Sequence, residues 1–409
     1  MRNALGTALP ARLDTALLYV FVVASVFVAG RLFQIVGPSA SGIGFGAVAI
    51  TVIAAAALRF LKFDIPVMAP FALTFGFFAL SLYIFAGNFS REVNLNAIGP
   101  FIGIMSFVVY YPFIVRGKIS TVTKTILLFS TVYAALYLIL NITYLSGLMV
   151  PNLGSLVIPD APGGRADRIL AASAVLTVGA SMWLVRARSH LTPLNIAMLI
   201  LFLVDIYLTG SRYYQAVFVL LSIIYIITGR ARTCGYIAIS LFVLGASQMI
   251  ISALFDLKNP FEIFGGDNSA TVRAASVSLA VPHIREHWLM GVGFPSSDLD
   301  NVWAMSTKYF FSSDLGALGI MYNYGLVGLL LFGLLSYFSA LPERRIAATP
   351  DTALDAQAIT LTGAICALQG LIAPVLWIGS GTFLSGLFLA IALVYFARRH
   401  AAKTYTVSP

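Results

Sequence analysis

The chain has 409 residues, 59% of them hydrophobic and only 10% charged, with a mean hydropathy of +0.92. A soluble domain carries roughly 25% charged residues, so this composition excludes a water-covered surface and predicts an all-α, polytopic transmembrane bundle. The net charge of +9 implies no nucleic-acid partner, because in a membrane protein a basic excess marks the cytoplasmic loops.

Taken in chain order, apolar runs bounded by charge and by Pro or Gly predict about twelve spans. They lie near 14–33, 40–58, 66–86, 96–115, 125–147, 168–185, 193–209, 213–229, 234–254, 313–340, 356–377 and 380–397. Arg2 and Arg12 precede a first run too long for a signal-peptide core, with no small-residue cleavage site behind it, so it is expected to remain as span one. The last two runs are also compatible with a single re-entrant hairpin. Residues 1–409 form one integral membrane domain on this reading, with the longest connection, 255–312, between spans nine and ten. With both termini inside, 16 basic residues face the cytoplasm and 9 the outer side, as the sorting of Lys and Arg requires. The outer ones, Arg31, Arg91, Arg165, Arg168, Arg212, Lys258, Arg273, Arg285 and Lys308, defy that sorting and become functional candidates. No internal repeat supports an inverted-repeat transporter. The two cysteines, Cys234 and Cys366, suggest neither a disulfide framework nor a metal cluster.

Polar chemistry concentrates on the outer side. In "LTGSRYYQAVF" Arg212 opens span eight, where a guanidinium offers a planar fork for two phosphate oxygens; the alternative is snorkelling to lipid headgroups. Asp205, seven residues earlier within "LILFLVDIYL", is an intramembrane acid and a candidate to orient Arg212 or to serve as its counter-ion. The long loop and its edge hold seven of the 16 acids: Asp256, Glu262, Asp267, Glu286, Asp298, Asp300 and Asp314. A helix is expected through "TVRAASVSLA", capped by Asp267, Asn268 or Ser269 and broken or restarted at Pro282. Val272, Ala275, Val277, Leu279 and Val281 fit a helix lying on the membrane surface, with Arg273 near its anion-favouring N-terminus. His283 and His287 share a helix face, but no H-E-x-x-H glutamate or third ligand accompanies them, so sugar or headgroup contact, or simple surface exposure, is expected rather than metal. Arg285 is a phosphate contact or a partner for Glu286. Asp314, in "SSDLGALG", is a catalytic candidate whose rival reading is a helix N-cap.

Three stretches, "LTGSR", "TVRAASVSLAVPHIREHWLMGVGF" and "SDLGALGIMYNYGLVG", resemble the signature motifs of the O-antigen polymerase and ligase superfamily. These are polytopic inner-membrane glycosyltransferases that use undecaprenyl-diphosphate-linked glycans at the periplasmic face. The resemblance implies that Arg212 and Arg273 hold the diphosphate of the donor. Where ligases place His followed by Asn, this chain has Asp314 and Leu315, which implies that Asp314 takes the base's role and argues mildly against a ligase. Tyr213, Trp288 and Trp303 are candidates to stack on sugars or to anchor at the interface.

The expected activity is therefore a metal-independent, cofactor-free polymerase in a bacterial inner membrane. It would have an outward-facing site, lipid-linked glycan and membrane lipids as partners, and a possible chain-length regulator or export complex. The alternatives are a ligase acting on lipid A core or protein, a flippase for the lipid-linked oligosaccharide, and a non-catalytic assembly partner in polysaccharide export.

Overall fold

The computed structural model describes residues 11–61, 64–90, 99–148, 150–158, 168–255, 268–294, 310, 312–346, 350–377 and 380–406. They build a helical bundle: α1 (Ala11–Ala29), short α2 (Phe33–Val36), α3 (Pro38–Phe60), α4 (Ile65–Phe89), α5 (Gly99–Met105) and α6 (Phe107–Val115) come first. Next are α7 (Ile119–Leu145), α8 (Ser173–Ser189), α9 (Pro193–Leu208), α10 (Arg212–Thr228), α11 (Ala231–Leu254) and α12 (Asn268–Glu286). The bundle closes with α13 (Ala317–Ala340), α14 (Pro350–Gln369) and α15 (Thr382–Thr406). With α5 and α6 read as one interrupted pass, each expected apolar stretch falls on a helix.

Among the described residues seven helices, α1, α3, α4, α7, α11, α13 and α15, are long and apolar enough to cross a membrane, and three shorter apolar helices accompany them. Helices α8 and α14 are less apolar for a physical reason. They are the inner helices: α8 is buried almost continuously from Ala174 to Ala187, and α14 from Ala358 to Gln369. A helix surrounded by protein needs small residues and satisfied hydroxyls more than lipid-facing bulk. Gly363 of α14 illustrates this, since a Cβ there would overlap the carbonyl of Ser339 in α13.

Two expectations change at the boundaries. The start of span six is not helical: Arg168–Ile169 forms β2, paired antiparallel with β1 (Val157–Ile158). Helix α14 begins and ends earlier than expected, and residues 370–377 form turns that fold back on α13. Helices α14 and α15 are two distinct helices of 20 and 25 residues.

The two ends of the bundle differ in charge. At one end Asp14 of α1, almost fully buried, joins Arg59 of α3 at 3.0 Å and Arg116 beyond α6 at 2.8 Å. Arg398 donates to the Val115 carbonyl (3.1 Å), Arg345 to the Leu341 carbonyl (3.0 Å) and Arg188 to the Ile226 carbonyl (3.3 Å). These arginines close the C-terminal ends of α6, α13 and α10, where the helix dipole favours cations. The opposite end carries Arg168, Arg212, Arg273 and Asp314.

Candidate active site

Helix α10 starts at Arg212 with Ser211 as its N-cap. Gly210, at φ +62°, lets the chain reverse out of α9. Ser211 N–H donates to Thr209 Oγ1 (3.3 Å), and Gln215 Nε2 donates to the Tyr207 carbonyl (2.9 Å), so polar groups at the turn are paired. This places Arg212 at the exposed rim. The next residue, Tyr213, donates its hydroxyl to the Leu368 carbonyl at 2.7 Å, in the last turn of α14. The chain then runs to Leu371, whose carbonyl accepts from Ala317 N–H (3.3 Å) at the start of α13. The turn bearing Arg212 and the turn bearing Asp314 are therefore fastened to the same end of α14.

The stretch Trp288–Phe294 fastens α12 to α13. Helix α13 is broken at Gly325, which sits at φ 62°, ψ −159°, a region open essentially to glycine alone. The break frees backbone groups that an apolar interior would penalise. The stretch after α12 pairs with them: Leu326 N–H donates to the Trp288 carbonyl (2.8 Å) and Val327 N–H to the Leu289 carbonyl (3.2 Å). In return Val292 N–H donates to the Tyr322 carbonyl and Gly293 N–H to the Asn323 carbonyl, each at 2.9 Å. The glycines of "GVGF" permit this approach, because a Cβ on Gly291 would overlap the backbone of Asn323 and Tyr324. Phe294 N–H reaches the Ser81 carbonyl of α4 (3.2 Å), so α4 is tied in as well.

Helix α12 runs unbroken through Pro282 to Glu286, against the expected break. One side of it packs on protein. Val277, Ala280, Val281 and Ile284 form the buried stripe, clustered with Leu315, Leu318 and Tyr322, while Val272 and Leu279 are exposed. Arg273, in the second turn, is half-buried, and its Nε is buried without a hydrogen-bond partner.

Asp314 lies in a 3-10 turn, Ser312–Leu315. It is not the N-cap of α13: that position is Gly316, at φ 55° and ψ −123°, with no side-chain cap bond. The carboxylate keeps an open face within a largely apolar setting. Burial raises its pKa above the usual carboxylate value, and the positive charge of Arg273 pulls it back down. Beneath them Asn323, fully buried in α13, donates Nδ2–H to Ser312 Oγ at 2.9 Å.

The remaining sequence candidates divide. Asp205 is fully buried, and neither carboxylate oxygen has a hydrogen-bond partner, so it does not orient Arg212 through a hydrogen bond. Arg285 donates to the Ala253 and Leu254 carbonyls (3.4 and 2.7 Å), closing the end of α11. His283 packs between Phe89 and Tyr322, with ring centroids 6.2 and 6.1 Å away. Burial lowers its pKa, an effect opposed by Glu286. His287 lies 3.9 Å from Glu286. Trp288 is 54% exposed. Among the described residues no three His, Cys, Asp or Glu side chains group as metal ligands. Asp256, Lys258, Glu262, Asp267, Asp298, Asp300, Trp303 and Lys308 lie outside the described residues.

Two residues escaped sequence reasoning. Asn323 was visible as the lone amide in an apolar run, a signal of function or pairing inside a membrane helix. Arg168 stands in the sequence only as one of the unsorted cations; its Nη1 donates to the Thr209 carbonyl (3.4 Å), and its stem lies against Gly210.

Residues 197–333 match the family model described as O-antigen ligase. This match, over about a third of the chain, supports the resemblance to the O-antigen polymerase and ligase superfamily. The matched stretch contains Arg212, Arg273, Asp314 and Asn323, and it runs from within α9 through α10, α11 and α12 and past the break in α13. No curated protein matches the chain. The superfamily's members transfer glycans, so a glycan-transferring membrane enzyme is the activity this match carries; polymerases and ligases both fall within it.

Proposed function

We propose that this chain is a polysaccharide polymerase of a bacterial inner membrane, acting at the outer face on undecaprenyl-diphosphate-linked repeat units. The observation that carries the reading is the grouping of Arg212, Arg273 and Asp314 at one end of the bundle, with Asp314 in a turn rather than at a helix cap. It lies at the bundle end opposite the arginines that close α6, α10 and α13, an arrangement that supports an outward-facing site by the sorting of basic residues.

The chemistry follows from the side chains. A hydroxyl of the incoming lipid-linked unit attacks the anomeric carbon of the growing chain. Its proton passes to Asp314, whose raised pKa suits a general base better than an ordinary carboxylate would. The bond from anomeric carbon to phosphate oxygen breaks, and the diphosphate departs on its carrier lipid. Arg212 and Arg273 stabilise the charge that develops on the leaving oxygens. The new glycosidic bond lengthens the chain by one unit, driven by the lipid diphosphate itself, so the reaction calls for no nucleotide or added cofactor. Exposed Trp288 and half-buried His283 line the same end as sugar contacts. A chain-length regulator or export complex is a fitting partner for such an enzyme.

A second reading, transfer of finished glycan to lipid A core or protein, is favoured by the description of the matching family model. Purified protein in liposomes, supplied with a lipid-diphosphate repeat unit, distinguishes the two. The polymerase gives a ladder of longer chains, lost in Arg212→Ala and Arg273→Ala and retained with a chelator present. Single-step transfer to a non-glycan acceptor sinks the polymerase in favour of the ligase. Lipid crossing the bilayer without product indicates a flippase.

A further inference from the structure

We propose that Asn323 is a positioning residue that, through Ser312, holds the Asp314 turn in register with Arg273. The inference rests on Asp314 as the proton acceptor and adds a residue that neither the motifs nor the family match assigns.

Asn323 is fully buried in α13, two residues before the break at Gly325. It joins three elements. Its Nδ2–H donates to Ser312 Oγ (2.9 Å), at the first residue of the turn that carries Asp314. Its carbonyl accepts from Gly293 N–H (2.9 Å), in the stretch that continues α12, the helix of Arg273. Its place beside the break sets the direction of the first turns of α13. The amide is therefore a node between the base's turn and the arginine's helix.

Its Oδ1 is buried with no hydrogen-bond partner. A buried acceptor left unpaired is destabilising, so a residue chosen for stability alone would be apolar here. The side chain is explained by what its donor does. Because Ser312 Oγ receives that hydrogen bond, the hydroxyl proton of Ser312 is directed elsewhere, and the first residue of a short 3-10 turn is pinned. A 3-10 turn is poorly bonded internally, and its register needs such an external tie.

The test uses the full-length protein in liposomes with a lipid-diphosphate repeat unit, comparing Asn323→Ala, Ser312→Ala, the double variant and Asp314→Asn. Rates are normalised to folded protein. Asn323→Ala and Ser312→Ala are expected to lower kcat at least tenfold with KM changed less than threefold. The double variant should be no slower than either single one, because the pair acts as a unit. The acid limb of the pH profile should shift downward, since burial is the larger influence on Asp314 and a loosened turn admits water. If Asn323→Ala does not fold, Ser312→Ala carries the same prediction alone. An unshifted acid limb with kcat within threefold of the parent overturns the positioning role, even where thermal stability falls. Full activity in Asp314→Asn overturns instead the reading of Asp314 as the base, so the two failures are distinct.

Discussion

Replacing Gly325 by alanine tests the joint between α12 and α13. The residue holds φ 62°, ψ −159°, a conformation costing a side-chain-bearing residue about 1–3 kcal/mol. Its new Cβ would also overlap the backbone of Leu289 and Met290, so the strand after α12 must move away. That movement breaks the bonds from Leu326 N–H to Trp288 and from Val327 N–H to Leu289, each contributing about 0.5–1.5 kcal/mol net. Together the loss is roughly 2–6 kcal/mol. Gly333, in the same helix, has open space where a side chain would begin, with no atom within 4 Å of a Cβ at that position. Alanine there should stabilise by up to about 1 kcal/mol. Thermal unfolding of the two variants in detergent is expected to shift in opposite directions, with Gly325→Ala also losing transfer activity as Arg273 leaves Asp314. Equal melting temperatures, or a fully active Gly325→Ala protein, would refute the account of the break.

Other consequences are equally specific. Arg273→Ala removes the charge that lowers the pKa of Asp314, so the deprotonated, active form should be lost at higher pH and the acid limb of kcat should move upward; Arg273→Lys should leave the limb close to its parent position while reducing the rate, which a pH-rate series in liposomes checks. At the far end, Asp14→Ala strands the buried guanidinium of Arg59 and should destabilise the bundle by about 3 kcal/mol. Its KM should stay within twofold of the parent, because Asp14 lies at the opposite end from the site. Tyr213→Phe removes the bond to Leu368 at a cost of about 1 kcal/mol, measurable as a modest fall in melting temperature.

Much of this molecule is legible in its sequence. Hydropathy places the helices, because lipid imposes the same apolar requirement on every lipid-facing turn. The arginines of the motifs stand out because they violate charge sorting. What stays hidden depends on contacts distant in sequence. Asp314 looks like a helix cap, since Ser-Ser-Asp before an apolar run is the local signature of one; only the conformation of Gly316 moves the cap two residues on. Pro282 looks like a break, yet α12 continues through it because its apolar stripe is anchored on α13. Arg285 resembles a ligand contact, and no local pattern relates it to the carbonyls of Ala253 and Leu254, 32 and 31 residues earlier. Asp205 stands out by its place in an apolar run, but its lack of a bonded partner is not readable from spacing.

The central claim is that one outward-facing site, built on Arg212, Arg273 and Asp314, moves a glycan from a lipid diphosphate to a second lipid-linked unit. Its most direct test is the stoichiometry of carrier release during chain growth in liposomes. The account predicts one free lipid diphosphate for each glycosidic bond formed, with both products abolished together in Asp314→Asn. Carrier release without chain extension, or extension that survives loss of all three side chains, would contradict it.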